Sequence, residues 1–135
     1  MKPRGLRNNN PGNIRNSDAS DWKGEVKPSQ KKDNAFEEFE TMAHGYRALI
    51  KLLQNYRQYH RCLTIADFIN RWAPRTENNT SAYIHTVCRH MGMKPNDIPD
   101  VNDKRTMIEF ASAISLVENG VSAIRSEVEA GWEML

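Results

Sequence analysis

Glu118 is the carboxylate whose position in the sequence best suits acid–base chemistry. It ends an apolar stripe at helical spacing, which places its members on one face of a helix: Met107, Ala111, Ile114 and Glu118. Partial burial and the negative end of the helix dipole both favour the protonated acid there. Such a group can act as a general acid. If the last turn instead frays into solvent, Glu118 is an ordinary surface residue.

The stretch from Arg4 to Arg15, which reads RGLRNNNPGNIR, is the second candidate for a functional element. Asparagine tolerates left-handed backbone, proline fixes φ, and glycine accepts positive φ. Residues 8–13 are therefore predicted to form a tight, ordered turn rather than a helix. Leu6 and Ile14 could attach this turn to a core. A solvated N-terminal loop is the alternative.

The composition is typical of a soluble globular protein with one domain over residues 1–135. Hydrophobic residues make up 39% of the chain and charged residues 27%. The net charge of +2 is too small to indicate nucleic-acid binding. No apolar run approaches the length of a membrane span, and the N-terminal segment is polar. We therefore expect synthesis in the cytoplasm without a signal peptide, and no membrane insertion.

Helices are predicted over most of the chain after residue 40, from caps and apolar stripes. Their predicted spans are Thr41 to about His60, Thr64 to Trp72, Asn79 or Thr80 to Met91, Asn102 or Asp103 to about Glu118, and Ser122 to about Trp132. Short runs at residues 13–15, 22–26 and 35–39 predict a small antiparallel sheet or hairpin near the N-terminus. The expected fold class is mainly α, of the α+β type.

The histidines and cysteines do not indicate a metal site. His85 and His90 are five residues apart, which puts them on different faces of a helix, and the other histidines share no ligand spacing. Cys62 and Cys88 lie among apolar neighbours and are interpreted as reduced core residues, with a disulfide as the alternative. We expect no metal and no cofactor.

Several short blocks along the chain resemble a family of small phage and prophage proteins. The blocks are RNNNPGNIR, Trp22-Lys23-Gly24, Phe36 to Phe39, Gly45-Tyr46-Arg47-Ala48, Arg71-Trp72-Ala73-Pro74, Glu77-Asn78, Tyr83-Ile84 and Glu118-Asn119-Gly120. Members of that family are known as virion structural proteins or phage lysins, and they are similar to lysozyme-like peptidoglycan hydrolases. The resemblance covers essentially the whole chain and implies a lysozyme-like helical domain.

A more distant resemblance is to bacterial glucosaminidases of the flagellar and autolysin type. In those enzymes a helix ending in a catalytic glutamate comes before an Asn-rich turn and a Trp-x-Gly hairpin. In this chain the turn comes first, and the matching helix end, Leu116 to Gly120, comes late. The resemblance therefore implies a circular permutation, in which Glu118 lies beside the turn despite their separation in sequence.

The resemblance implies that the protein is a glycosidase or lytic transglycosylase that cleaves peptidoglycan glycan strands, with Glu118 as general acid. Glu25 and Asp33 in the hairpin are the candidates for a second catalytic carboxylate, and solvated hairpin positions are their alternative. The side chains that could bind the sugar chain are Asn9, Asn10, Arg15, Trp72, Asn78 and Tyr83. Roles in turns and in the core are the alternative for these residues.

Two other functions stay open. A lysin of similar fold could cleave the peptide cross-link, and a non-catalytic module could bind the cell wall or form part of the virion. The expected partners are peptidoglycan and other virion or secretion components, with no nucleic acid. The expected place of action is the cell wall or periplasm, after delivery by a phage or a secretion machinery.

Overall fold

A computed structural model describes residues 2–135, and this part of the chain is mainly helical. Its helices are α1 (Arg4–Arg7), a 3-10 helix (Pro28–Gln30), α2 (Met42–Tyr59), α3 (Ile65–Trp72), α4 (Thr80–Met91), α5 (Lys104–Asn119) and α6 (Arg125–Glu133). The prediction of a mainly α protein is confirmed. None of these helices is both long enough and apolar enough to span a bilayer.

The starts of α2 to α5 follow from local sequence. Each is capped by a side chain that accepts a backbone hydrogen bond from the first turn: Thr41, Thr64, Asn79 and Asp103. The prediction for α6 was wrong by three residues, because Ile124 precedes its first turn and no side chain caps it. The single turn of α1 was not predicted, since its sequence was interpreted as the start of a loop.

The core lies between α2 and the helices packed around it. Tyr46, Leu49 and Ile50 of α2 are fully buried. Phe68 of α3 and Phe110 of α5 meet edge to face, with ring centroids 5.4 Å apart. The stripe predicted for α5 is buried as expected, since its three apolar members, at positions 107, 111 and 114, have no exposed surface.

The small antiparallel sheet predicted for residues 13–39 does not form. Among residues 2–135 these segments make only isolated antiparallel bridges, Arg15 with Phe36 and Glu25 with Phe39. Side-chain carboxylates replace a strand partner: that of Glu38 accepts the N–H groups of residues 32 and 33, and that of Asp33 accepts those of residues 35 and 36. Because these N–H groups are already bonded, a continuous ladder cannot extend through them.

Residues 8–13, called the asparagine turn below, form the tight turn predicted from sequence. Asn9 and Asn13 have positive φ angles of 51° and 49°. Asn10 is fully buried; its Oδ1 accepts the N–H of Ile14, and its Nδ2 donates to the carbonyls of Ile14 and Glu37, each at 2.9 Å. A buried side chain therefore holds the turn from inside, and the alternative of a solvated loop is excluded.

Two glycines allow the asparagine turn to pack against the helices. A Cβ on Gly45 of α2 would overlap the Asn9 carbonyl oxygen and lie 2.7 Å from Pro11 Cδ. A Cβ on Gly12 of the turn would lie 2.8 Å from the Trp72 ring of α3. The position of the turn against α2 and α3 therefore requires glycine at both places.

The variant Gly45→Ala tests this close approach. An alanine inside a helix normally stabilises it by about 1 kcal/mol relative to glycine. Here we expect a net loss of about 2 kcal/mol, because the turn must move away from α2. Urea unfolding measures the change, with Gln58→Ala on the exposed part of α2 as control. A Gly45→Ala protein as stable as the wild type would contradict the packing described.

Candidate functional site

Glu118 lies in the last turn of α5 with both carboxylate oxygens hydrogen-bonded. Its Oε1 accepts from Asn13 Nδ2 at 2.9 Å, and its Oε2 accepts from the Tyr83 hydroxyl at 2.8 Å. The partly buried carboxylate is therefore held by a residue of the asparagine turn and a residue of α4. The predicted proximity of Glu118 and the turn is present in the structure, across a separation of 105 residues.

Tyr83 acts as a hydrogen-bond donor to Glu118. Burial and then the charge of the neighbouring Glu118 carboxylate raise the pKa of the Tyr83 phenol well above its usual range. The hydroxyl therefore keeps its proton near neutral pH and donates a hydrogen bond to Oε2. The result is a carboxylate of fixed orientation rather than a frayed surface side chain.

Asn119 attaches the asparagine turn to the end of α5. Its Nδ2 donates to the carbonyl of Pro11 at 2.9 Å and to that of Ser115 at 3.0 Å, and the side chain is buried. Gly120 then ends the helix in the left-handed conformation. Because Asn119 follows Glu118 directly, the bond to Pro11 sets the distance between Glu118 and the turn.

Two open cavities adjoin at Glu118. The first, called the aromatic cavity, has a volume of about 450 Å³ and is walled by Phe36, Tyr56 and Trp72. The second, called the amide cavity, has a volume of about 340 Å³ and lies between α4 and the end of α5. Glu118 and Asn78 line both, and the two adjoining cavities are together called the groove below.

The groove contains four of the six side chains predicted to bind substrate. Arg15 and Trp72 line the aromatic cavity, Tyr83 lines the amide cavity, and Asn78 lines both. Trp72 and Tyr56 lie 6.1 Å apart with tilted rings. Arg15 is paired with Glu77 at 3.2 Å across the edge of the aromatic cavity. Rings and polar groups arranged along a groove are typical of carbohydrate sites.

Asn9 and Asn10 line neither cavity and make contacts within the fold. The Asn9 side chain donates to the Phe39 carbonyl at 3.0 Å, and both polar atoms of the Asn10 side chain are bonded to the backbone of Ile14 or Glu37. These two side chains were expected to contact a substrate, but in the structure they lie outside the groove. Their amides instead fix the backbone that presents Asn13 to Glu118.

Asp33, a candidate second carboxylate, lies outside the groove in an ion pair. The guanidinium of Arg4 donates to both of its oxygens at 2.6 and 2.7 Å, and Asn8 donates at 2.9 Å. The Arg4 hydrogen bonds, with the Asn8 amide and two backbone N–H groups, hold the pKa of Asp33 well below its usual range. Asp33 therefore fixes α1 against the following segment.

Glu25, the other candidate, also lies outside the groove and faces a second carboxyl group. Glu25 Oε1 and Glu37 Oε2 are buried without an N–H or O–H donor from residues 2–135. Burial, and then the hydrogen bond and charge of Glu37, raise the pKa of Glu25 to about 7. Protonated Glu25 can supply the missing donor between the two groups, while Lys31 lies 3.3 Å from the other oxygen of Glu37.

Asn13, Asn119 and Glu77 are parts of the site that sequence reasoning did not identify as such. Asn13 and Asn119 occur in blocks that carry the family resemblance, but they were interpreted as a turn residue and a helix stop. Glu77, which lines the aromatic cavity, lies in another such block. Asn119 directly follows Glu118 in its block, but the patterns of the blocks with Asn13 and Glu77 show no link to Glu118, because these parts of the chain are distant in sequence.

No family model matches the chain. Protein P5 of Pseudoalteromonas phage PM2 is similar to it, with 38% identity over 133 residues. The match covers 96% of this chain and 80% of Protein P5. The chain belongs to this family of phage proteins. The expected relationship to phage proteins is confirmed at this level, and membership assigns neither a reaction nor a substrate.

The shared proton of Glu25 predicts a pH-dependent stability. The folded protein keeps this proton up to a pKa of about 7, whereas the unfolded chain releases it near 4.5. The folded state thus binds more protons between these values, so this group stabilises the fold less as pH rises from 5 to 8. The variant Glu25→Gln should match the wild type at pH 5 and be more stable at pH 8.

Urea unfolding of both proteins at the two pH values measures this difference. Glu40→Gln, which alters an exposed carboxylate of the same segment, is the control. Its difference from the wild type in free energy of unfolding should be similar at the two pH values. An equal effect of Glu25→Gln at pH 5 and pH 8 would show that the two carboxyl groups do not share a proton.

Proposed function

We propose that this protein cleaves the glycan strand of peptidoglycan, with Glu118 as the general acid. The observation that carries the proposal is the Glu118 carboxylate, held by Asn13 and Tyr83 where the two cavities adjoin. An elongated groove of this kind can accept sugars on both sides of a scissile bond. A carboxylic acid at that point is the group that glycosidic cleavage requires.

In the proposed reaction, protonated Glu118 donates its proton to the glycosidic oxygen as the bond from that oxygen to the anomeric carbon breaks. Positive charge develops on the anomeric carbon and its ring oxygen. The ionised Glu118 keeps its hydrogen bonds from Asn13 and Tyr83, which stabilise the charge that it gains. A hydroxyl of the same sugar that then attacks the anomeric carbon returns its proton to Glu118. An attacking water instead gives its proton to a second carboxylate, and solvent reprotonates Glu118.

The second carboxylate separates two versions of the proposal. Glu25 and Asp33 are bonded elsewhere in the fold, whereas Glu77 lines the same cavity as Glu118. Attack by water, with Glu77 as base, would release new reducing ends. Attack by a hydroxyl of the substrate needs no second carboxylate and would release anhydro-sugars, as in lytic transglycosylases. Mass spectrometry of digested peptidoglycan distinguishes these products.

A lysozyme-like origin with a circular permutation is part of this proposal. In a permuted relative of the glucosaminidase type, the helix with the catalytic glutamate comes late in the chain. The end of that helix must then lie beside the asparagine turn. The bonds from Asn13 to Glu118 and from Asn119 to Pro11 support that arrangement. Membership of a phage protein family supports delivery to the cell wall by a phage particle or during phage release.

The variant Glu118→Gln tests the catalytic role. It keeps the shape of the side chain but cannot donate the proton, so release of soluble fragments from purified peptidoglycan should fall by about 10² to 10⁴-fold. Glu109→Gln is the matched control, because Glu109 is the other carboxylate of α5 and pairs with Arg125 away from the groove. Equal activity of Glu118→Gln and the wild type would refute the proposal.

The variant Tyr83→Phe tests the support of Glu118. It removes only the hydroxyl that donates to Oε2, so folding should persist while the rate falls about tenfold. Tyr59→Phe, at a position 67% exposed, is the control and should leave the rate unchanged. An unchanged rate in Tyr83→Phe would show that this hydrogen bond does not support the reaction.

A non-catalytic module that binds the cell wall or forms part of a phage particle is the second candidate. Its support is the membership of a phage protein family. This function predicts that the protein binds purified peptidoglycan or a phage component without releasing fragments. It also predicts that Glu118→Gln leaves that binding unchanged.

A further inference from the structure

We infer that the aromatic cavity receives the carboxylate-bearing part of the glycan, and that Arg71 recognises that carboxylate. This inference rests on the proposed function and specifies the substrate class. The preferred substrate is a glycan that carries anionic groups on its sugars or side chains. A neutral polymer of N-acetylated sugars would fill the groove without satisfying Arg71.

The charges in the groove lie on one side of Glu118. The charged residues of the aromatic cavity besides Glu118 are Arg15, Arg71 and Glu77. The amide cavity is lined, apart from Glu118, by uncharged side chains such as Asn78, Asn79 and Thr86. A polymer lying across Glu118 would therefore meet cationic groups on one side and neutral hydrogen-bonding groups on the other.

Arg71 is the cation of this cavity that is available to a ligand. Arg15 is paired with Glu77, so its charge is compensated within the protein. Arg71 is exposed, and its contacts are the His60 ring nitrogen at 3.3 Å and the Tyr56 ring at 5.1 Å. No carboxylate among residues 2–135 forms an ion pair with it.

Arg71 has the chemistry that recognises a carboxylate. Its guanidinium carbon lies 5.1 Å from the centroid of the Tyr56 ring, and this cation–π contact holds the group at the wall of the cavity. A planar guanidinium can bind a carboxylate through two parallel hydrogen bonds, which a neutral amide of the substrate cannot match. Trp72 lies beside Tyr56 and offers an apolar surface to the sugar ring that carries the carboxylate.

Two forms of one substrate test the inference. Purified peptidoglycan is compared with the same material after its carboxylates are converted to neutral amides by carbodiimide coupling to glycine amide. Binding is measured by co-sedimentation with Glu118→Gln protein, so that the glycan stays intact. We expect native peptidoglycan to bind about tenfold more tightly than the amidated form.

Adding Arg71→Gln to the Glu118→Gln protein should remove this preference. Binding to native peptidoglycan should weaken, and binding to the amidated form should stay the same. Arg71→Lys, which keeps the charge without the planar fork, should give an intermediate preference. Arg89→Gln is the matched control, because Arg89 is exposed, contacts the ring of His85 at 2.8 Å, and lines neither cavity. It should leave the preference unchanged.

Three results would overturn the inference: equal binding of the two forms, a preference that persists in Arg71→Gln, or an equal loss for both forms in that variant. The proposed function is read separately, from fragment release by the wild type and by Glu118→Gln. Preference for native peptidoglycan through Arg71 without cleavage would refute the enzyme and retain carboxylate recognition. Cleavage that depends on Glu118, without a preference for native peptidoglycan, would retain the enzyme and refute carboxylate recognition by Arg71.

Discussion

The docking of the asparagine turn against α2 and α5 is the interaction on which the groove depends. The turn carries Asn13, which bonds Glu118, and it is attached to α5 by the bond from Asn119 to Pro11. Gly45 allows the backbone of the turn to touch α2. Because buried donors must be bonded, the turn has few alternative positions that keep the hydrogen bonds of both Asn10 and the Asn119 Nδ2 group. Small local features thus fix the position of the candidate acid.

Three carboxyl groups singled out by their sequence positions have different environments in the folded protein. Glu118 accepts hydrogen bonds from two neutral donors beside an open groove. Asp33 is matched by a guanidinium and serves to attach α1. Glu25 faces another carboxyl group, that of Glu37. Residue type alone does not separate these roles, since partners and solvent access determine them.

The helices could be predicted from sequence because their signals are local. Helix α3 begins at a capping box formed by Thr64 and Asp67, and α5 ends at Asn119 and Gly120. Both signals depend on contacts within a few residues. In the predicted strand at residues 35–39, the Asp33 carboxylate bonds the first two N–H groups, which a strand partner would otherwise use. The apolar stripe of α5 identified Glu118. Its partners Asn13 and Tyr83 are 105 and 35 residues away, so a family resemblance, rather than spacing, was the available signal.

The hydrogen bond between Asn13 and Glu118 also has a consequence for folding. Contacts between distant residues form late, because closing a long loop costs more entropy than completing a helical turn. The hydrogen bonds within α2, α3 and α4 join neighbouring residues and can form before that loop closes. A collapsed, partly helical intermediate would therefore have the helices of the protein but not its assembled groove. The arrangement around Glu118 is thus a property of the completed fold alone.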